Sequence, residues 1–258
     1  MVLSENQISP IEKEIIYPES DGKPMADNSR QWSWMVYIKE GYEIVYKDAE
    51  VFVAGDMLWY PVKGEPEIRQ APDTMIAIGR PKGHRGSYKQ WEEGGIAPQV
   101  VFEVWSPGST QREMNSKRKF YERYGVVEYY EYDPDRLKLR GWIKQGENFV
   151  AIQQMSGWVS PLTKVRFELD VSDKERELKL YQVDGKPFLT FMELTQARDT
   201  AEQALQVETE LCQREAELRR QAENRARVLV QERDAAEQKL QELLAKLQAR
   251  GIDLGNNG

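Results

Sequence analysis

From Met192 to Arg250 the chain contains neither glycine nor proline, whereas all twelve prolines lie before Phe191. The stretch is rich in Ala, Leu, Glu, Gln and Arg, which lose little rotamer freedom in a helix, so it is expected to form one continuous helix. At 1.5 Å per residue such a helix reaches roughly 85 Å, too long to pack along one small domain. Ala197, Ala204, Leu211 and Leu218 recur every seventh residue, with Ala201 and Ala222 at offset positions. That seam then meets Arg225, Glu232 and Lys239, and a shifted seam of Leu229, Ala236, Leu240, Leu243 and Leu247 takes over. An imperfect heptad repeat with a phase change favours a coiled coil through which the chain self-associates, with a solitary charged helix as the rival reading. The chain is therefore expected to divide into a loosely held segment 1–27, an α/β domain 28–190, the helix 191–250, and a flexible tail 251–258 that starts at the helix-ending Gly251.

Composition removes several function classes. With one cysteine, Cys212, and one histidine, His84, neither a disulfide framework nor a Cys/His zinc cluster can be built. A formal charge of −7 gives no bulk attraction for a polyanion, so contact with nucleic acid would need a local patch. No apolar run approaches the roughly 18 residues of a membrane span. Met1–Pro10 lacks the basic and apolar regions of a secretory leader. A cytoplasmic location with no membrane contact is the expectation.

Between 28 and 190, Asn28 or Ser29 can cap a helix from about Arg30 to Glu40. Strand-like runs follow at Glu50–Val53, Met57–Tyr60, Thr74–Ile78 and Gln99–Trp105. Thr110-Gln111-Arg112-Glu113 is a capping-box pattern opening a helix from about Gln111 to Tyr124, which Gly125 ends. Val126–Tyr132, Leu137–Ile143, Phe149–Gln153 and Val165–Leu169 complete the strands, the second and third as a hairpin. Strands with intervening helices predict an α/β domain around a mixed sheet.

Two of these strands carry a charge in the wrong place. Asp73 opens Asp73-Thr74-Met75-Ile76-Ala77-Ile78, and Glu103 interrupts Val100-Val101-Phe102-Glu103-Val104-Trp105. A carboxylate in an apolar strand is costly unless it is paired or holds a metal. Lys117, Tyr121 and Tyr124 stand at i, i+4 and i+7 of the following helix, on a face that would pack back toward the strand ends. Two carboxylates on neighbouring strands can anchor Mg²⁺, and a nearby lysine can orient water and balance phosphate charge. Against this, Pro-Asp is common in turns, and Lys117-Arg118-Lys119 reads equally as a solvated helix face. The loop Gly79–Gly95 interleaves Arg80, Lys82, His84, Arg85 and Lys89 with Tyr88 and Trp91. It can grip a phosphate backbone and stack a base, or be a solvated loop with Trp91 tucked over the sheet. Glu128 can orient Lys117 or be the outward residue of a half-exposed strand. Asp56 and Glu43 read as turn or surface residues, with an accessory acidic role as the alternative.

Gln99-Val100-Val101-Phe102-Glu103-Val104-Trp105-Ser106-Pro107-Gly108, followed by Lys117, Tyr121, Gly125-Val126, Glu128-Tyr129-Tyr130 and Asp133-Pro134, resembles the Uma2 (DUF820) endonucleases, a family rich in cyanobacterial members. Their pattern is Pro-Asp, Glu-Val-x-Ser-Pro, a helix with Lys-x-x-x-Tyr, then Gly-Val-x-Glu-Tyr and Asp-Pro. The match runs from about Val51 to Pro134. The resemblance implies a PD-(D/E)xK restriction-endonuclease-like mixed β-sheet core flanked by helices. It implies Asp73 and Glu103 as metal ligands with the Val104 carbonyl as a third, Mg²⁺ or Mn²⁺ as cofactor, Lys117 as the catalytic lysine, and DNA as partner. One departure is visible: the lysine that usually stands two residues after the glutamate is Trp105 here. The expected function is metal-dependent DNA endonuclease. The alternative is a catalytically idle nucleic-acid or protein binding module that oligomerises through its C-terminal coiled coil. A small-molecule phosphodiesterase is disfavoured by the lack of a Gly-rich nucleotide loop.

Overall fold

The computed structural model describes residues 15–22, 24–170 and 178–250. Residues 1–14 of the expected N-terminal segment, and the whole of the expected tail 251–258, lie outside the described residues. The chain falls into two compact units that meet at Thr190 and Phe191.

The first unit opens with α1 (Ser29–Val45), whose cap Asn28 accepts from the Gln31 N–H. Then come β1 (Val51–Ala54), β2 (Trp59–Tyr60), β3 (Thr74–Ile78), β4 (Tyr88–Lys89) and β5 (Val100–Val104). Helix α2 (Gln111–Tyr124) starts where the Thr110 hydroxyl accepts from the Glu113 N–H and stops at Gly125, in the left-handed region with φ 104°. Strands β6 (Glu128–Asp133), β7 (Lys138–Gln145), β8 (Asn148–Ala151), β9 (Arg166–Leu169) and β10 (Leu178–Tyr181) follow. Six strands form the main sheet in the order β1-β3-β5-β6-β7-β8. All neighbours are antiparallel except β5 and β6, which run parallel because α2 carries the chain back across the sheet. Small two-stranded sheets pair β2 with β4 and β9 with β10.

Side chains alternate across a strand, and this parity builds two cores. Val100, Phe102 and Val104 face α1, joining Ile38, Tyr42, Val53 and Ile76. Val101 faces the other way, into a cluster with Met75, Ala77, Tyr121 and Tyr129 beneath α2. The helix α1 packs over β1, β3 and β5. The mixed α/β sheet flanked by helices, followed by a long helix, is the architecture the sequence led us to expect.

Several boundaries differ. Helix α1 runs past Glu40 to Val45 because Gly41 and Tyr42 are buried on its inner face. The expected Met57–Tyr60 strand shrinks to two residues that pair with β4, not with the main sheet. Strands β4 and β10 fall outside the strand runs expected from the sequence.

In the second unit, α3 (Phe191–Ala249) is a single helix with no buried residue. Leu205, Leu211, Leu218, Leu229, Leu240 and Leu243 are 58–64% exposed. Among the described residues no helix is long and apolar enough to cross a membrane.

Gly41 supplies a test of how α1 is seated. Alanine in a helix interior normally gains about 1 kcal/mol over glycine. A Cβ here would lie 2.0 Å from Phe188 Cδ2, so Gly41→Ala is expected to reverse that sign and cost about 1–3 kcal/mol by overpacking. Urea unfolding of the full chain measures it, and a stabilised variant would contradict this packing.

Candidate active site

Parity and register bring the two acids together. Thr74 pairs with Phe102, so the next step along the antiparallel pair sets Asp73 beside Glu103, both on the α2 side of the sheet. Asp73 Oδ2 accepts from the Val104 N–H at 2.6 Å. Asp73 is 7% exposed and Glu103 1% exposed. The i, i+4 pair on α2 reaches back as its spacing suggested. Lys117 Nζ donates to Glu103 Oε2 at 2.7 Å, and the Tyr121 hydroxyl donates to Oε1. Lys117 is therefore held against Glu103 and largely buried, not part of a solvated face.

Burial dominates the electrostatics. It pushes the Glu103 carboxyl up to about 8, with the Lys117 ammonium opposing and Asp73 reinforcing. It pushes Asp73 up to about 6, against Lys117 and the Val104 N–H. Burial pulls Lys117 down, but attraction to Glu103 and Asp73 outweighs it, and the ammonium is held charged well above neutral pH. One ammonium thus faces two buried carboxyls. The second negative charge has no full compensation, so the pair retains a proton that a bound cation would release.

These residues open on a polar cleft of about 340 Å³, lined also by Val104, Asp56 and Asp21. Asp56, with φ 47°, is lifted to about 6 by burial and then by Asp21. From α1, Gln31 Nε2 donates to the Val104 carbonyl at 3.1 Å, while its Oε1 accepts from the Asp27 N–H at 2.8 Å. Among the described residues no group of three or more His, Cys, Asp or Glu is arranged to hold a metal. The available donors are two carboxyl groups that share one ammonium and one neutral carbonyl, all hard oxygens. That set fits a small divalent cation such as Mg²⁺ or Mn²⁺ and no softer metal.

Other expected site residues fall elsewhere. Glu128 is fully buried and accepts from Tyr130, Ser160 and the Leu162 N–H. It neither orients Lys117 nor points outward. It ties the 160–163 loop to β6, a strand buried at every position. The cations of the 79–95 loop are largely engaged within it. Arg85 pairs with Glu93 at 2.5 Å and lies over the Phe52 ring. Arg80 donates to the Glu93 carbonyl, and Lys89 lies 3.5 Å from Glu92. Lys82 is exposed. Trp91 is half-buried, and its ring packs 4.9 Å from that of Tyr17. Glu43 pairs with Lys39 away from the cleft. Trp105, in the usual lysine position, donates to buried Glu131, which also pairs with Arg140 at 3.0 Å. Gln31 was not singled out by the sequence, because its contacts with Val104 and Asp27 have no local signature.

A model of the Uma2 family, described as "Putative restriction endonuclease", matches residues 29–172. No curated protein matches the chain. Among solved structures, a nuclease of Anabaena variabilis described as putative and assigned to DUF820 is 15% identical, with a TM-score of 0.39, over 54% of this chain and 75% of that one.

The raised carboxyls make stability depend on pH. Both exceed their ordinary values of 3.8 and 4.5, so the folded state binds more protons than the unfolded state in between. Stability of the metal-free chain should therefore fall as pH rises from about 5 to about 8. Urea midpoints measured in EDTA at both ends of that window should show the loss, and Glu103→Gln should flatten it. An unchanged slope in the variant would assign the dependence to other groups.

Proposed function

The chain belongs to the Uma2 family, and from that premise we propose that it is a divalent-metal-dependent endonuclease hydrolysing phosphodiester bonds of DNA. The observation that carries this reading is the convergence of Asp73, Glu103 and Lys117 at one cleft. Asp73, Glu103 and the Val104 carbonyl would hold Mg²⁺ or Mn²⁺. When bound, the ion supplies Lewis-acid polarisation of the phosphate and a more acidic water. Lys117, held charged, serves as a cation that orients the attacking water and balances charge developing on the phosphate, rather than as a base. Tyr121 fixes the second Glu103 oxygen, so the carboxylate presents one orientation. Asp56 stands in the same cleft as a further acid.

The test is plasmid cleavage with Mg²⁺ or Mn²⁺ beside Asp73→Ala, Glu103→Ala and Lys117→Ala. Loss of a ligand should cost more than the roughly 10–100-fold typical of a metal's outer partners, and EDTA should abolish cleavage. Equal cutting by all four proteins would mean contamination and end the proposal. Trp105 in the usual lysine position favours a second reading, an idle binding module, and DNA binding without cleavage by the wild type would select it.

We assign 28–190 to this chemistry and 191–250 to self-association through α3. The exposed leucines of α3 support the second assignment, because an unaccompanied helix of this length would leave its whole apolar seam in water. Sedimentation equilibrium of the full chain should give a dimer or higher state, and Leu240→Asp with Leu243→Asp should return it toward monomer. A wild-type monomer at micromolar concentration would refute it.

A further inference from the structure

Residues 17–22 and 24–27 cross the face of the first unit that holds the cleft. At the leading end, the Tyr17 ring sits between aromatic walls, 4.9 Å from Trp91 and edge-on to Tyr60 at 5.2 Å. Lys89 Nζ lies 5.8 Å from its centroid. The Tyr17 hydroxyl accepts from the Gly64 N–H at 2.6 Å. The next residue is pinned as well, since the Tyr60 hydroxyl donates to the Pro18 carbonyl at 2.7 Å. Glu19 presses so closely on Gly86 that any side chain there would overlap its carboxylate. Asp21 reaches the cleft itself, near enough to raise Asp56. The trailing end is anchored by Asp27, which accepts from Ser106 Oγ.

The slot has the composition of a nucleobase site: a planar group packed at a 53° tilt against tryptophan, flanked by a second ring and a cation, with a backbone donor at its far edge. The segment that fills it is acidic, carrying Glu19, Asp21 and Asp27, and it covers the basic, aromatic loop before running to the acidic cleft. Tyr17 and Asp21 stand four positions apart, at most about 14 Å of chain, a span of a few nucleotides.

We propose that residues 17–22 and 24–27 form an autoinhibitory strap lying along the path of the substrate strand, with Tyr17 occupying a nucleobase subsite formed by Tyr60, Lys89, Trp91 and the Gly64 N–H. The inference rests on the nuclease reading above. It identifies Lys89 and Trp91 as strand-binding residues that are covered until the strap is displaced. Asp21 adds negative charge where a phosphate would enter, so strand and strap exclude each other.

The test uses the full chain and a fluorescein-labelled single-stranded DNA oligonucleotide, first by anisotropy in EDTA. Tyr17→Ala should tighten binding by at least about fivefold, the low end of what one stacked base supplies. Adding Trp91→Ala to that variant should cancel the gain. In Mg²⁺, Tyr17→Ala should lower KM for cleavage and leave kcat unchanged. If no protein cleaves but Tyr17→Ala binds more tightly, the strap stands and the nuclease reading falls. If the wild type cleaves and Tyr17→Ala neither binds nor cleaves better, the strap is overturned and the nuclease reading stands. Should circular dichroism show Tyr17→Ala misfolded, Asp21→Asn carries the same assays. Tighter binding by that variant supports the strap, and unchanged binding overturns it.

Discussion

A carboxylate in the middle of a buried strand is the constraint to which the first unit is built. Glu103 lies on β5, at the centre of the sheet, and has almost no access to water. An unpaired charge there would cost several kcal/mol. Two side chains one helical turn apart meet that cost, Lys117 by charge and Tyr121 by a hydroxyl. Their reach fixes the distance and the rotation of α2 over the sheet. Because α2 is also the crossover between parallel strands, the same contact helps to seat β6 against β5. Fold and candidate site therefore share one interaction, and the site is not an addition to a finished scaffold.

How much of this was legible follows from how local each signal is. Helix α2 could be read residue by residue, because its cap, its αL glycine and its inward face are all encoded within a few positions. Asp73 and Glu103 announced themselves as charges in apolar runs, and strand parity carried them to the same side. Glu128 carries the same kind of signal, a charge in a strand, but its strand gives no sign of which way it faces. Its strand is buried on both faces, so no alternation marked it as inward. Beside its neighbour Tyr130, its partners Ser160 and Leu162 lie more than thirty residues away, as the 32- and 34-residue separations show. The loop cations were visible as a cluster, but their pairing with Glu93 and the main chain depends on a fold that spacing does not reveal. Strand β4 has only two residues, too few to show a pattern, while the alternation of β10, Leu178-Lys179-Leu180-Tyr181, spans only four residues and pairs outside the main sheet.

The two units pose opposite physical problems. In the first, apolar surface is consumed and polar groups must find partners inside. In the second, α3 has no interior of its own, and none of its residues is buried. The sequence expresses that difference as a change of composition at one position, which is why the boundary near Phe191 was the easiest feature to find.

Gln31 carries a constraint of another kind. A carboxamide has one accepting end and one donating end, and here each is claimed, the oxygen by the Asp27 N–H and the nitrogen by the Val104 carbonyl. Glutamate at this position would set an acceptor against an acceptor and add a charge beside two crowded acids. Leucine or methionine would match the volume and leave a donor and an acceptor both unanswered. Asparagine would be a methylene too short to span them. Hydrogen-bond polarity and side-chain length together thus favour glutamine at an unremarkable helix position, and the helix that carries it is tied to the main chain of β5 by one amide.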